Sequence, residues 1–119
     1  MTHTTFRELT DHLPLSPPVF HVLLSLGDDA LHGYAIMQAF QSLTGGRAEL
    51  LPGTLYATLA RMVETGVIVE VDPPAEGGDA RRRYYRSTEF GRSLAAAEAE
   101  RMRALVDVAA AQRLVEGAS

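Results

Sequence analysis

The chain reads as a mainly α fold with a small β-hairpin, a winged helix-turn-helix followed by a long C-terminal dimerisation helix. Three observations predict it. Leu51-Pro52-Gly53-Thr54-Leu55-Tyr56 opens a short amphipathic helix that stops at Gly66. A β-branched run at 67–71 and an arginine–tyrosine run at 82–87 flank an acidic stretch with two prolines and two glycines, which is the pattern of two strands joined by a flexible turn. Beyond Thr88 an alanine-rich stretch carries an apolar residue at most turns of a helix as far as 115.

The elements follow in order. Residues 1–15 form an N-terminal extension, polar and partly helical, with a weak helical pattern around Phe6, Leu9 and Leu13. Ser16-Pro17-Pro18 starts the first helix of the domain. Serine is a favoured N-cap, and proline loses nothing in the first turn, where its missing N–H has no partner anyway. Val19, Phe20, Leu23, Leu24 and Leu26 give that helix its apolar stripe, and Gly27-Asp28-Asp29 ends it. A second helix is predicted over 31–43, with Ile36, Ala39, Phe40 and Leu43 on one face and Gly45-Gly46 as its stop. In the third helix Leu55, Leu59, Met62 and Val63 share a face, while Thr54, Ala57, Thr58 and Arg61 look the other way. Thr88 caps the last helix, predicted over 89–115. Its stripe of Phe90, Leu94, Ala97, Met102, Leu105, Val108 and Ala109 has no sufficient partner in so small a domain, so a second copy is expected to cover it. The division is therefore 1–15, a winged helix domain at 16–88, and a dimerisation helix at 89–119.

Composition narrows the function. The chain has 119 residues, enough for one domain with a modest core. It has no cysteine, which excludes disulfides and thiolate metal sites and fits a reducing compartment. No apolar run approaches the ~18 residues that would span a bilayer. Residues 1–16 lack the basic start and apolar stretch of a secretory leader. A cytoplasmic protein without membrane contact is expected. The net charge is −4, yet residues 79–92 hold five arginines against Asp79 and Glu89, an excess of three positive charges that leaves −7 for the rest. An acidic body with one basic edge orients on DNA, because the body is repelled where the edge binds.

The third helix is the expected reader of a major groove. Its first turn, opened by Pro52, offers the free N–H groups that follow the proline and the positive end of the helix dipole to a phosphate, with no side chain at Gly53 in the way. Thr54 and Thr58 carry hydroxyls and methyls suited to base edges, and Arg61 suits a guanine or a phosphate. Tyr56 is placed on the flank, its ring toward the core and its hydroxyl toward the backbone. Tyr34 has two readings, a phosphate contact or a structural tyrosine. Arg81, Arg82 and Arg83 form the basic wing. On a strand Arg81 and Arg83 point one way and Arg82 the other, so one parity is expected to face DNA and the other to meet solvent or acids such as Glu70 and Asp72. By the same alternation one of Tyr84 and Tyr85 belongs to the core. Dimerisation is assigned to Leu94, Met102, Leu105 and Val108.

Enzymatic and metal readings fare poorly. His3, His12, His21 and His32 show no i, i+4 ligand spacing, so no metal and no cofactor are expected. Asp28-Asp29 reads as a helix stop and cap rather than a catalytic pair. There is neither a nucleotide-binding glycine loop nor a nucleophile elbow, and the chain is not expected to be an enzyme.

Three runs in order resemble the PadR family of bacterial transcriptional regulators. His32-Gly33-Tyr34-Ala35-Ile36 is similar to the family's second-helix opening. Pro52-Gly53-Thr54-Leu55-Tyr56, with Leu59, Arg61-Met62 and Gly66-Val67-Ile68, is similar to its recognition helix and exit. Arg82-Arg83-Tyr84-Tyr85-Arg86-Ser87-Thr88 with Gly91 is similar to its second wing strand and last helix. The resemblance covers about residues 16–115 and implies a winged helix, a homodimer through the C-terminal helix and repression of nearby genes. The single C-terminal helix matches the family's shorter subgroup. Two features depart from it: Met62-Val63 stands where relatives often carry leucine then glutamate, and Asp72, Glu76 and Asp79 put negative charge on the wing turn. The expected partners are double-stranded DNA bound at a palindromic operator, a second copy of the chain, and a small hydrophobic effector that loosens the grip. The alternative is a winged-helix protein-interaction module without sequence-specific DNA binding.

Overall fold

The computed structural model describes residues 6–116, with side chains from Glu8 onward. His3 and the side chain of Phe6 thus lie outside the described residues. The elements run α1 (Phe6–Thr10), α2 (Pro17–Leu26), β1 (Leu31–His32), α3 (Gly33–Leu43), α4 (Pro52–Glu64), β2 (Ile68–Val71), β3 (Tyr84–Ser87) and α5 (Glu89–Ala111). The fold is mostly helical with a small antiparallel sheet, as expected, but that sheet has three strands in the order β1-β3-β2 rather than two. The extra strand, β1, takes the first two residues predicted for the second helix. Leu31 and His32 pair with Tyr85 and Tyr84 instead.

Capping explains the boundaries. Ser16 has the extended backbone of an N-cap before Pro17, although its hydroxyl makes no capping bond. His32 caps α3: its Nδ1 accepts from the Ala35 N–H at 3.1 Å. Thr88 caps α5 as predicted, its hydroxyl accepting from the Gly91 N–H at 3.0 Å. Gly66 closes α4 with φ of +77°, a left-handed conformation that glycine adopts without strain, and turns the chain directly into β2.

The core lies where α2, α3, α4 and the sheet meet. Val22, Leu23, Leu26, Ile36, Phe40, Leu55, Leu59, Met62, Val67 and Ile68 fill it. Three residues predicted on apolar stripes, Leu24, Leu43 and Val63, are exposed instead. Leu94 differs more instructively. Predicted at the dimer surface, it is 1% exposed and belongs to this same core. The first half of α5 packs on α2, β3 and α1, so Leu94 is covered within one protomer. The approach is close because Gly91 has no side chain: a Cβ there would collide with the Val67 carbonyl oxygen. Beyond Arg101 the helix leaves the body, and residues 102–108 are all exposed.

Candidate nucleic-acid interface

The site starts from α4. Its N-cap, Leu51, has the extended backbone of a cap but no side-chain capping bond, and the first turn carries no acid. The opening turn thus presents backbone N–H groups without a competing side chain. Pro52, Gly53, Thr54 and Arg61 are exposed and Thr58 is half-buried, while Leu55, Leu59 and Met62 anchor the opposite face in the core. Nothing lies within 4 Å of the position a Cβ would take at Gly53, so that edge of the helix is open.

An open hollow of about 820 Å³ joins this helix to the sheet. His32, Gly33 and Tyr34 from the start of α3, Tyr56, Ala60 and Val63 from α4, and Glu70, Arg82, Arg83 and Tyr85 from the wing line it. The structure therefore brings Tyr34, Tyr56, Arg82 and Arg83 together. Thr54, Thr58 and Arg61 are not among its lining residues. Tyr56 is 55% exposed, and its ring covers Gly33, where a Cβ would come within 2.9 Å of it. The ring thus packs on α3 rather than entering the core. Tyr34 is likewise exposed.

The wing arginines are arranged differently from the expected strand alternation. β3 begins at Tyr84, so Arg81, Arg82 and Arg83 precede it, in the turn. Strand parity does not sort them, and neither Glu70 nor Asp72 pairs with them within ion-pair distance. Asp79 does. Its Oδ1 accepts from the Arg81 N–H at 2.9 Å and from Arg81 Nε at 3.2 Å, and its Oδ2 lies 3.6 Å from Arg82 Nε. Its own N–H donates to the Tyr84 hydroxyl at 3.0 Å, which ties the turn to the buried ring. The Arg81 backbone and side-chain hydrogen bonds hold the Asp79 carboxyl below the usual carboxylate range. Arg82 reaches further. Its Nη1 donates to His32 Nδ1 at 3.1 Å, and its guanidinium carbon sits 5.9 Å from the centre of the Tyr34 ring, within cation–π range.

His32, in the run that resembles the family's second-helix opening, has a structural role. One nitrogen caps α3 and also receives Arg82, while the ring meets Tyr84 edge-on at 5.3 Å. Burial and then the Arg82 charge lower its pKa, so it is neutral at physiological pH and its Nδ1 is an acceptor. A histidine directly before a helix-opening glycine is the signal that could have found it. His21 stacks on Phe40 and His12 meets Phe90 edge-on. Among the described residues no cluster of metal-ligating side chains occurs. Asp28 is neither cap nor catalyst but pairs with Arg92 of α5 at 3.2 Å. Of the wing tyrosines, Tyr84 is the buried one. Tyr85 is half-buried in the hollow, where burial and then the Glu70 charge push its hydroxyl above the usual range. Ala60, Val63, Glu70 and Tyr85 are lining residues that sequence reasoning did not assign to the site.

An exposed helix, α4, buttressed by two others, a wing from β2 and β3, and an arginine–tyrosine hollow between them define a winged helix-turn-helix protein. The match to the PadR-like family of transcriptional regulators spans residues 22–97, and the chain belongs to that family. It is 38% identical over 89 residues to the transcriptional regulator Rv3488 of Mycobacterium tuberculosis, covering 75% of this chain and 76% of that one. It is 42% identical over 81 residues to an uncharacterised 37.1 kDa protein of transposon TN4556 from Streptomyces fradiae, covering 68% of this chain but only 21% of that larger protein. Among solved structures, a PadR family regulator from Clostridium difficile superposes with a TM-score of 0.66 at 25% identity, over 84% of this chain and all of the other. Bacillus subtilis PadR, solved in complex with operator DNA, shares the fold with a TM-score of 0.52 at 22% identity, over 64% of this chain and 43% of that one. The protein is thus a transcriptional regulator and not an enzyme. No helix among the described residues is long and apolar enough to cross a membrane.

Proposed function

We propose that the chain is a repressor that binds a palindromic operator as a homodimer, each protomer placing α4 in a major groove and its wing on the adjacent backbone. The observation that carries this reading is the hollow in which Tyr34, Tyr56, Arg82 and Arg83, drawn from three separate segments, converge beside the open start of α4. Hydroxyls and guanidinium groups grouped in this way suit phosphate oxygens. The exposed Thr54, the half-buried Thr58 and the exposed Arg61 occupy the neighbouring face and would read bases. Family membership supports the reading, as does the fold shared with an operator-bound protein. The winged helix unit would bind DNA and residues 102–108 of α5 would hold the second copy, while the first half of α5 stays with the protomer core.

An apolar effector would act on the spacing of the two reading helices. A groove of about 680 Å³ between α1 and α5, lined by Leu9, Leu13, Ala96 and Ala97 with Arg101 at its side, offers it a place next to the dimerisation helix.

The test is a titration of the full chain on a duplex selected from random DNA, across a range of salt. Binding should weaken steeply as salt rises. Arg82→Ala with Arg83→Ala should weaken it about equally on all sequences and reduce the salt slope by about one per lost phosphate contact. Thr54→Ala should instead change preference at particular base pairs, each worth about 1–3 kcal/mol of discrimination. Salt-independent retention, or wing variants that bind as the parent does, would exclude the DNA reading and favour a protein-interaction module.

A further inference from the structure

The hollow contains one acid. Glu70 lies on β2 directly opposite Tyr85 of β3, so the two side chains share a face of the sheet, and both line the hollow with Arg83. Arg81 and Arg82 are each drawn to Asp79, whereas Arg83 has no carboxylate within ion-pair distance among the described residues. Glu70 has no cation within that distance either, and it is exposed. An acid that held an arginine in place would be paired with it. Glu70 stands instead in the same concavity as an arginine without a carboxylate partner, and both charges act on the Tyr85 hydroxyl. A phosphate that Arg83 receives in the hollow shares it with this carboxylate.

We propose that Glu70 is a counter-charge built into the DNA-facing hollow, opposing the backbone phosphate that Arg83 and the neighbouring tyrosines would hold. The proposal rests on the reading that this hollow faces DNA, and it concerns how tightly DNA is gripped rather than which bases are read. A fixed negative charge beside a phosphate site lowers affinity for every sequence alike and leaves the base contacts to decide which duplex is retained. It also makes the grip steeply dependent on those contacts, because the electrostatic term alone is weakened.

The experiment compares Glu70→Gln with Asp29→Asn in the full-length chain. Both remove one negative charge, and Asp29 is an exposed loop residue outside the hollow. Glu70→Gln should bind the selected duplex and a scrambled one about two- to sixfold more tightly at low salt, the scale of one charge acting near a phosphate at an effective dielectric between protein and water. The gain should shrink as salt is raised and should vanish when Arg83→Ala is added. Asp29→Asn should bind as the parent does. Unchanged or weaker binding by Glu70→Gln, or an equal gain from Asp29→Asn, overturns the proposal while leaving the DNA reading intact. A parent chain that retains no duplex at any salt overturns both.

Discussion

Two glycines show how one missing Cβ serves two ends. At Gly91 the obstacle to a side chain is the Val67 backbone carbonyl, which cannot move without shifting the entry to β2. At Gly33 the obstacle is the outer edge of the Tyr56 ring, on an exposed side chain that can swing away. The two Gly→Ala substitutions should therefore separate stability from binding. Gly91→Ala should destabilise by about 3 kcal/mol, the upper end of overpacking penalties, and lower the melting temperature visibly. Gly33→Ala sits in the first turn of α3, where alanine favours the helix, so melting should change little. It should nevertheless expel Tyr56 from the hollow and weaken DNA binding, as Tyr56→Phe or Tyr56→Ala would be expected to. Thermal melting beside a DNA titration checks both; equal stability losses from the two variants would show that Tyr56 cannot yield. Neither role is visible in the sequence. The glycines stand in runs that resemble a family, but the atoms they make room for come from residues 23 and 24 positions away.

Among the elements, α5 is where the amphipathic pattern misled most. The apolar stripe runs on past the point where its partner changes, since periodicity records which face is apolar and not what covers it. Leu94 and Leu105 look alike in the sequence, yet one is sealed in the protomer and the other is open. The switch is marked by Glu98. Its side chain is only 1% exposed and accepts from Arg101 Nε at 2.7 Å and Nη2 at 3.0 Å. The Arg101 hydrogen bonds hold the Glu98 carboxyl below the usual glutamate range despite its burial. A depressed folded-state pKa contributes stability that is complete above the ordinary glutamate value, about 4.3, and is lost as pH falls through the lower value of the folded protein. Arg101→Ala would strand the buried carboxylate, and a loss of about 1.5–3 kcal/mol is expected at pH 7. That loss should narrow on acidification below about pH 4, where the variant's Glu98 is protonated and no longer penalised. Urea denaturation of parent and variant at the two pH values measures it. A difference that stays constant with pH would mean that Arg101 acts through packing alone. The helices, their order and the exposed face of α4 are legible in the sequence, because those depend on local caps and periodicity. β1 is not, since two residues carry no period, nor is the placement of Arg81, Arg82 and Arg83, which Asp79 sets through a turn rather than a strand.

For the molecule as a whole, the proposed dimer depends on the half of α5 that leaves the body. Leu105 and Val108 are 56% and 58% exposed, Met102 and Val106 are also open, and no described element of the protomer faces them. Covering each would contribute at most roughly 1.5–3 kcal/mol, and two-fold symmetry counts every residue twice. The same pairing would hold two reading helices about one DNA turn, ~34–36 Å, apart. Removing all of α5 would not test this, because Leu94 and Glu98 belong to the protomer core and would be lost with it. Leu105→Asp combined with Val108→Asp is the cleaner change, since it places charge only in the exposed stripe. Sedimentation at micromolar concentration should show a dimer for the parent and a monomer for the variant, while the variant's melting retains a cooperative transition from the intact core. On a palindromic duplex the variant should lose about 10²–10⁴ in affinity, the gain that tethering two sites supplies, and on an isolated half-site it should bind as a parent protomer does. A parent that sediments as a monomer yet binds the palindrome with full affinity would leave the exposed stripe to another partner, and the spacing of the two half-sites would then have to be set by the DNA rather than by α5.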